Sequence, residues 1–124
     1  MSAPVILISD DSILARKQLH DVIDKYVESA TVYEATDGKE AVELFKSTKP
    51  NLILIDITMP IMNGIEAIKE IKKIDSKANI VVVSSIGTKT ELKEAIMAGA
   101  ADFIQKPFSV NQIKLMLESY FKEG

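Results

Sequence analysis

Three apolar runs, Val5-Ile6-Leu7-Ile8, Leu52-Ile53-Leu54-Ile55 and Ile80-Val81-Val82-Val83, constrain this chain more than any other feature. They are short, continuous and rich in β-branched residues. Strands of that kind are buried on both faces, as in a parallel sheet covered by helices. Two weaker segments join them: Ala30–Glu34 reads as an edge strand, and Ala101–Gln105 alternates polar and apolar residues. Between the strands lie helix-period stripes. Leu19, Val22, Ile23, Tyr26 and Val27 follow one, and Ile113, Met116, Leu117, Tyr120 and Phe121 follow another.

Four helix starts carry an acceptor followed three residues later by Glu or Gln: Asp37/Glu40, Asn63/Glu66, Thr88/Glu91 and Ser109/Gln112. Each pairing can satisfy N–H groups that the first turn leaves without partners. Phe108 and Ile113 occupy hydrophobic-staple positions around the last of these. Gly99 stands where a left-handed C-cap would close the fourth helix. The pattern is β-α repeated five times, an α/β doubly wound five-stranded parallel sheet with helices on both faces. At 124 residues, one domain spanning 1–124 is expected.

Several function classes are excluded by what the chain lacks. With no cysteine there is no disulfide framework and no thiolate metal site, which is compatible with a cytosolic setting. The single histidine, His20, rules out a multi-histidine metal centre and reads as a partly exposed helix residue. Fifteen Lys and Arg against 18 Asp and Glu give a net charge of −3, which argues against general nucleic-acid affinity. No apolar run approaches the roughly 18 residues needed to span a bilayer, and no secretory signal opens the chain.

The informative residues follow the strands: Asp10 and Asp11 after the first, Asp56 after the third, Ser84 after the fourth, and Lys106-Pro107 after the fifth. In a parallel sheet all these C-terminal ends share one edge, where ligands of open α/β folds bind. Singly, each has a plain structural reading: an Asp as helix cap, a Ser as turn residue, a Lys as solvated surface charge. Together they converge. Two like charges about 4 Å apart repel by roughly 4 kcal/mol at an effective dielectric near 20. Three grouped carboxylates must therefore protonate, be separated by water, or bind a cation. Oxygen ligands without His or Cys suit Mg²⁺, with Mn²⁺ a close substitute. Carboxylate, metal, lysine and hydroxyl are the parts that phosphoryl transfer needs.

At these residues the chain resembles the receiver domain of two-component response regulators, over essentially its whole length. The resemblance is carried by Ser9-Asp10-Asp11-Ser12, by Asp56 to Gly64, by Val83-Ser84-Ser85, and by Gly99 to Phe108. It implies a flavodoxin-like (βα)5 fold with strand order 2-1-3-4-5, an order carried over from the family. It implies that Asp56 accepts a phosphoryl group from the phosphohistidine of a sensor histidine kinase. Asp11, Asp56 and the Thr58 backbone carbonyl match direct Mg²⁺ ligands, and Asp10 matches a ligand acting largely through water. Lys106 matches the lysine that contacts the phosphoryl group, aimed by a cis Lys106–Pro107 bond. Ser84 and Phe103 match the switch hydroxyl and switch aromatic, which couple the phosphate to the surface of the fourth helix, fifth strand and fifth helix.

Three positions depart from the family's usual pattern. Ser9 replaces a commoner apolar residue and reads as a tolerated strand-end polar group. Ser84 replaces the commoner Thr, and with one methyl lost the implied switch is less sharply two-state. Phe103 replaces a frequent Tyr, and a ring without a hydroxyl buries without needing a partner. Thr58 and Ile86 match positions that tune access of the hydrolytic water. Neither offers an acid or amide to orient it, which implies slow self-dephosphorylation, over minutes or longer.

The motif details look most like chemotaxis receivers, a signalling switch rather than an enzyme. The implied partners are a chemotaxis histidine kinase, a flagellar motor switch protein and a phosphatase; the implied state is a cytoplasmic monomer, with dimerisation on phosphorylation left open. The alternatives are a receiver belonging to a longer transcriptional or enzymatic regulator, and a phosphorelay intermediate. From another class, a Mg²⁺-dependent phosphatase with an Asp nucleophile would need a second acid at the position of Thr58. A nucleotide-binding module would need a glycine-rich phosphate loop, and none occurs.

Overall fold

The computed structural model describes residues 3–85 and 88–121. Five strands alternate with five helices: β1 (Val5–Ser9), α1 (Ile13–Tyr26), β2 (Thr31–Ala35), α2 (Gly38–Thr48), β3 (Leu52–Ile55), α3 (Gly64–Ile74), β4 (Ile80–Ser84), α4 (Lys89–Ala98), β5 (Asp102–Gln105) and α5 (Val110–Tyr120). The sheet is parallel throughout, in the order β2-β1-β3-β4-β5. The expected doubly wound fold and its strand order are both present. β1 and β4 run one residue past their apolar cores. Ser9 keeps register with Ala35 and Ile55, and Ser84 with Gln105. A serine can stay in a ladder when its hydroxyl finds a partner, and the buried Ser9 hydroxyl lies 3.2 Å from the Met59 sulfur.

Two hydrophobic layers sandwich the sheet. On one face Leu7, Ile53, Ile55, Ile80 and Val82 pack with residues of α2, α3 and α4. On the other, Ile6, Ile8, Leu52, Leu54, Val81 and Val83 pack with residues of α1 and α5. Alternation along each strand sends consecutive side chains to opposite layers, which is why the apolar runs are continuous.

All four expected caps form, with Asp37, Asn63, Thr88 and Ser109 accepting from the N–H three residues on. Asn63/Glu66 and Ser109/Gln112 are reciprocal boxes. Glu40 instead accepts from the Thr36 N–H, at 2.7 Å. Phe108 and Ile113 share one hydrophobic cluster, as a staple requires. Gly99 caps α4 with φ of 122°, a conformation side chains rarely adopt. No helix among the described residues is long and apolar enough to cross a membrane.

Gly64 ties α3 to the end of β3. Its N–H donates to the Ile57 carbonyl at 2.8 Å, and a Cβ there would lie 2.1 Å from the Asp56 carbonyl oxygen. Backbone cannot swing aside as a side-chain tip does. Gly64→Ala is therefore expected to cost about 3 kcal/mol of stability, read as a lowered urea midpoint. An unchanged midpoint would mean that this junction yields freely.

Candidate functional site

The strand order makes β1 and β3 neighbours, so Asp10 and Asp56 leave the sheet side by side. The Asp56 N–H donates to the Ser9 carbonyl at 2.9 Å, extending the ladder to the last residue before the loop. One carboxylate oxygen from each of Asp10, Asp11 and Asp56 lies within 4.8 Å of the others. Asp10 and Asp56 are buried, 1% and 7% exposed, while Asp11 is open to solvent.

Asp10 has its hydrogen bonds supplied from several directions. Its Oδ1 accepts from the Ser12 N–H at 2.9 Å, a turn in which an aspartate bonds its own chain two residues on. Its Oδ2 accepts from the Lys106 ammonium at 2.6 Å. Its backbone N–H donates to Ala35 at 3.0 Å, and its carbonyl accepts from Arg16 at 2.8 Å. Asp56 differs. Its Oδ2 accepts from Lys106 at 3.1 Å, but its buried Oδ1 has no hydrogen-bond partner among the described residues.

Lys106 follows β5, two strand spacings from β3, roughly 10 Å across the sheet. Only a long side chain could bring a charge back to Asp56. The Lys106–Pro107 peptide is cis, as expected. Burial, the largest single influence, works against the ammonium's charge. The hydrogen bond to Asp10 and the fields of Asp56 and Asp10 outweigh it, and the Lys106 pKa stands above its ordinary 10.5. The stability this adds is complete below 10.5 and is lost only as pH climbs through the raised folded value.

Ser84 is fully buried at the end of β4, and Phe103 is half-buried on β5. Phe103 is in register with Val82, and both belong to the layer beneath α2, α3 and α4. Ser84, two residues beyond Val82, points to that same face. The hydroxyl and the ring thus share one side of the sheet. Thr58 is exposed in the loop after β3, two residues past Asp56. Ile86 lies outside the described residues.

One cluster beside the site was not expected from the sequence. Arg16 Nε donates to Glu34 Oε1 at 2.8 Å, and His20 Nδ1 lies 2.9 Å from Glu34 Oε2. The ionised carboxylate can only accept, so Nδ1 carries the proton. His20 is a partly exposed residue of α1, as expected, and its Nε2 lies 3.6 Å from Asp24. The His20 hydrogen bond is the largest cause holding the Glu34 pKa below its ordinary 4.5, with burial opposing and Arg16 assisting. A lowered carboxylate pKa adds stability that is present above 4.5 and is lost as pH falls through the folded value. Glu34→Gln is expected to flatten the acid limb of stability between about pH 5 and pH 3. The effect is small because the group is largely solvated. Urea unfolding across that range checks it, and parallel wild-type and variant curves would refute it.

Three carboxylates and one lysine leave two formal negative charges at the site. The donors are all oxygens, one buried carboxylate oxygen is unpartnered, and one acid faces solvent. That set fits a hard divalent cation such as Mg²⁺, which keeps several open positions. A group of three acids at this edge of a β2-β1-β3-β4-β5 sheet, with a lysine bridging two of them, is what the response regulator fold presents.

A sequence profile for the response regulator receiver domain matches residues 6–118. The chain belongs to the response regulator receiver domain family. Within that family it is similar to several chemotaxis proteins CheY. The CheY of Thermotoga maritima is 50% identical over 108 residues, covering 87% of this chain and 89% of that protein. The CheY of Bacillus subtilis is 44% identical over 108 residues, with the same shares. A chain in the crystal structure of the CheX–CheY–BeF3–Mg²⁺ complex from Borrelia burgdorferi superposes with a TM-score of 0.87 at 30% identity, over 97% of this chain and 90% of that one.

Proposed function

We propose that this chain, acting as one receiver domain over 1–124, is a phosphorylation-driven switch in chemotaxis that takes its phosphoryl group on Asp56. The observation that carries this reading is Asp56 itself. One of its oxygens is buried and unpartnered while the other is held by Lys106, and two further acids stand beside it. A carboxylate oriented through one oxygen, with two more acids beside it, presents the negative charge that a divalent ion would neutralise.

The donor is the phosphohistidine of a sensor kinase. A carboxylate oxygen of Asp56 forms the new P–O bond as the P–N bond breaks, and the electron pair of that bond leaves with the imidazole. Asp11, Asp56 and the Thr58 carbonyl would hold Mg²⁺ directly, and Asp10 would act largely through water. When bound, the ion supplies neutralisation of charge on the transferring oxygens. Lys106 then pairs with the phosphoryl group, and Ser84 turns its hydroxyl toward it.

Movement of Ser84 vacates space on the face it shares with Phe103, and the ring follows. The output surface is α4, β5 and α5. The exposure of α4 supports this: only Ala95 of that helix is fully buried, while Leu92, Ile96 and Met97 face solvent. A helix with so little buried surface repositions at low cost. A flagellar motor switch protein is the partner this surface would meet.

Intact mass after incubation with acetyl phosphate and Mg²⁺ tests the proposal. One stoichiometric addition of about 80 Da, the mass of a phosphoryl group, is the expected result. Release of many phosphates without a stable adduct would point instead to a phosphatase.

A further inference from the structure

We propose that Arg16 is a positioning residue for the acidic site, holding the Asp10–Asp11 turn in the geometry that binds the divalent ion. This rests on the reading of that site as Mg²⁺-dependent. The Asp10 carbonyl sits just past the last β1 residue, where strand pairing ends and an acceptor is left over. Arg16 Nη1 fills that vacancy at 2.8 Å. Its Nε is tied at 2.8 Å to Glu34, on the neighbouring strand, and Glu34 is held in turn by His20 at 2.9 Å.

The three elements converge for a simple reason. Arg16 and His20 are one helical turn apart on α1, so they share a face. Glu34 is in register with Ile8, two residues before Asp10. The Arg16 side chain is only 14% exposed, and its planar fork lets it bond carbonyl and carboxylate at once. A lysine has no such fork. The Asp10 side chain is meanwhile committed to Ser12 and Lys106. Arg16 is therefore the side chain that fixes the carbonyl of the peptide joining Asp10 to Asp11. Asp11, exposed and with no side-chain hydrogen bond among the described residues, takes its direction from that peptide.

Isothermal titration of the full chain with MgCl2 provides the main test, beside initial rates of phosphorylation by acetyl phosphate. Arg16→Met keeps the apolar stem and removes the donors. It is expected to weaken Mg²⁺ binding about tenfold, the loss usual when a partner behind a metal ligand is removed. Phosphorylation should slow at low Mg²⁺ and recover at saturating Mg²⁺, since Asp56 is untouched. Arg16→Lys, the second variant, should lose about as much affinity while remaining folded by circular dichroism. Ile23→Val, a core change in α1, controls for lost stability and should bind Mg²⁺ like the wild type.

Wild-type affinity in Arg16→Met, or in Arg16→Lys where the former does not fold, would overturn the assignment. So would a rate deficit that saturating Mg²⁺ leaves in place. If the wild-type chain itself neither binds Mg²⁺ nor takes up phosphoryl, the underlying reading of the site fails instead.

Discussion

Asp56→Asn is expected to abolish the phosphoryl adduct completely while leaving the fold intact. An amide of the same shape still accepts from Lys106 through its carbonyl, so the cross-sheet tie at 3.1 Å has a replacement. What it loses is the charge and nucleophilicity of the carboxylate, one of whose oxygens has no hydrogen-bond partner among the described residues. The neighbouring acids cannot stand in. Asp10 has both oxygens engaged, by Ser12 and Lys106, and Asp11 lies open to water. Removing one of three grouped negative charges also relieves repulsion, so the thermal midpoint should be equal to or above that of the wild type. The wild-type mass increase persisting in Asp56→Asn would displace Asp56 as acceptor. An absent adduct in an unfolded variant would show a structural role instead.

Lys106→Met has the second largest expected effect, read in stability as well as in the loss of its contact with the phosphoryl group. It removes the ammonium that bridges Asp10 and Asp56 and leaves two buried carboxylates with no cation between them among the described residues. Breaking a fully buried pair costs about 3–5 kcal/mol. Lys106 reaches solvent, its side chain being 19% exposed, so about 2 kcal/mol is the better figure. The loss should be largely reversed by millimolar Mg²⁺, because a ligand that binds only the native state stabilises it by mass action. Mg²⁺ should also raise the denaturation midpoint of Lys106→Met more than that of the wild type, since the lysine no longer opposes the ion. Equal gains in the two proteins would mean that Lys106 and the divalent ion do not share these carboxylates.

Much of the fold was legible because the signals behind it are local. Continuous apolar runs announce strands covered on both faces, and an acceptor three residues before Glu or Gln announces a helix start. α1 shows where that logic stops. Ser12 caps it through the Ala15 N–H at 3.2 Å, with no acid or amide at the third position to mark the start. Ser9, read from the sequence as a tolerated polar residue, has a specific sulfur partner 50 residues away.

The acidic group was visible for a different reason. All parallel strands end on one edge, so polar residues placed after strands must gather there whatever the order of the strands. That order itself came from family resemblance, and the Arg16–Glu34–His20 cluster depends on it directly. Glu34 meets α1 only because β2 lies beside β1.

The amino-acid sequence alone determined the βα repeat, the caps, and the set of residues collected at the sheet's C-terminal edge, since these follow from hydrophobic period and strand direction. Only the tertiary structure decided which two of the three acids share the lysine, which carboxylate oxygen has no partner among the described residues, and that Arg16 bonds the turn. Those outcomes depend on distances between strands that are far apart in the chain, and no local period encodes them.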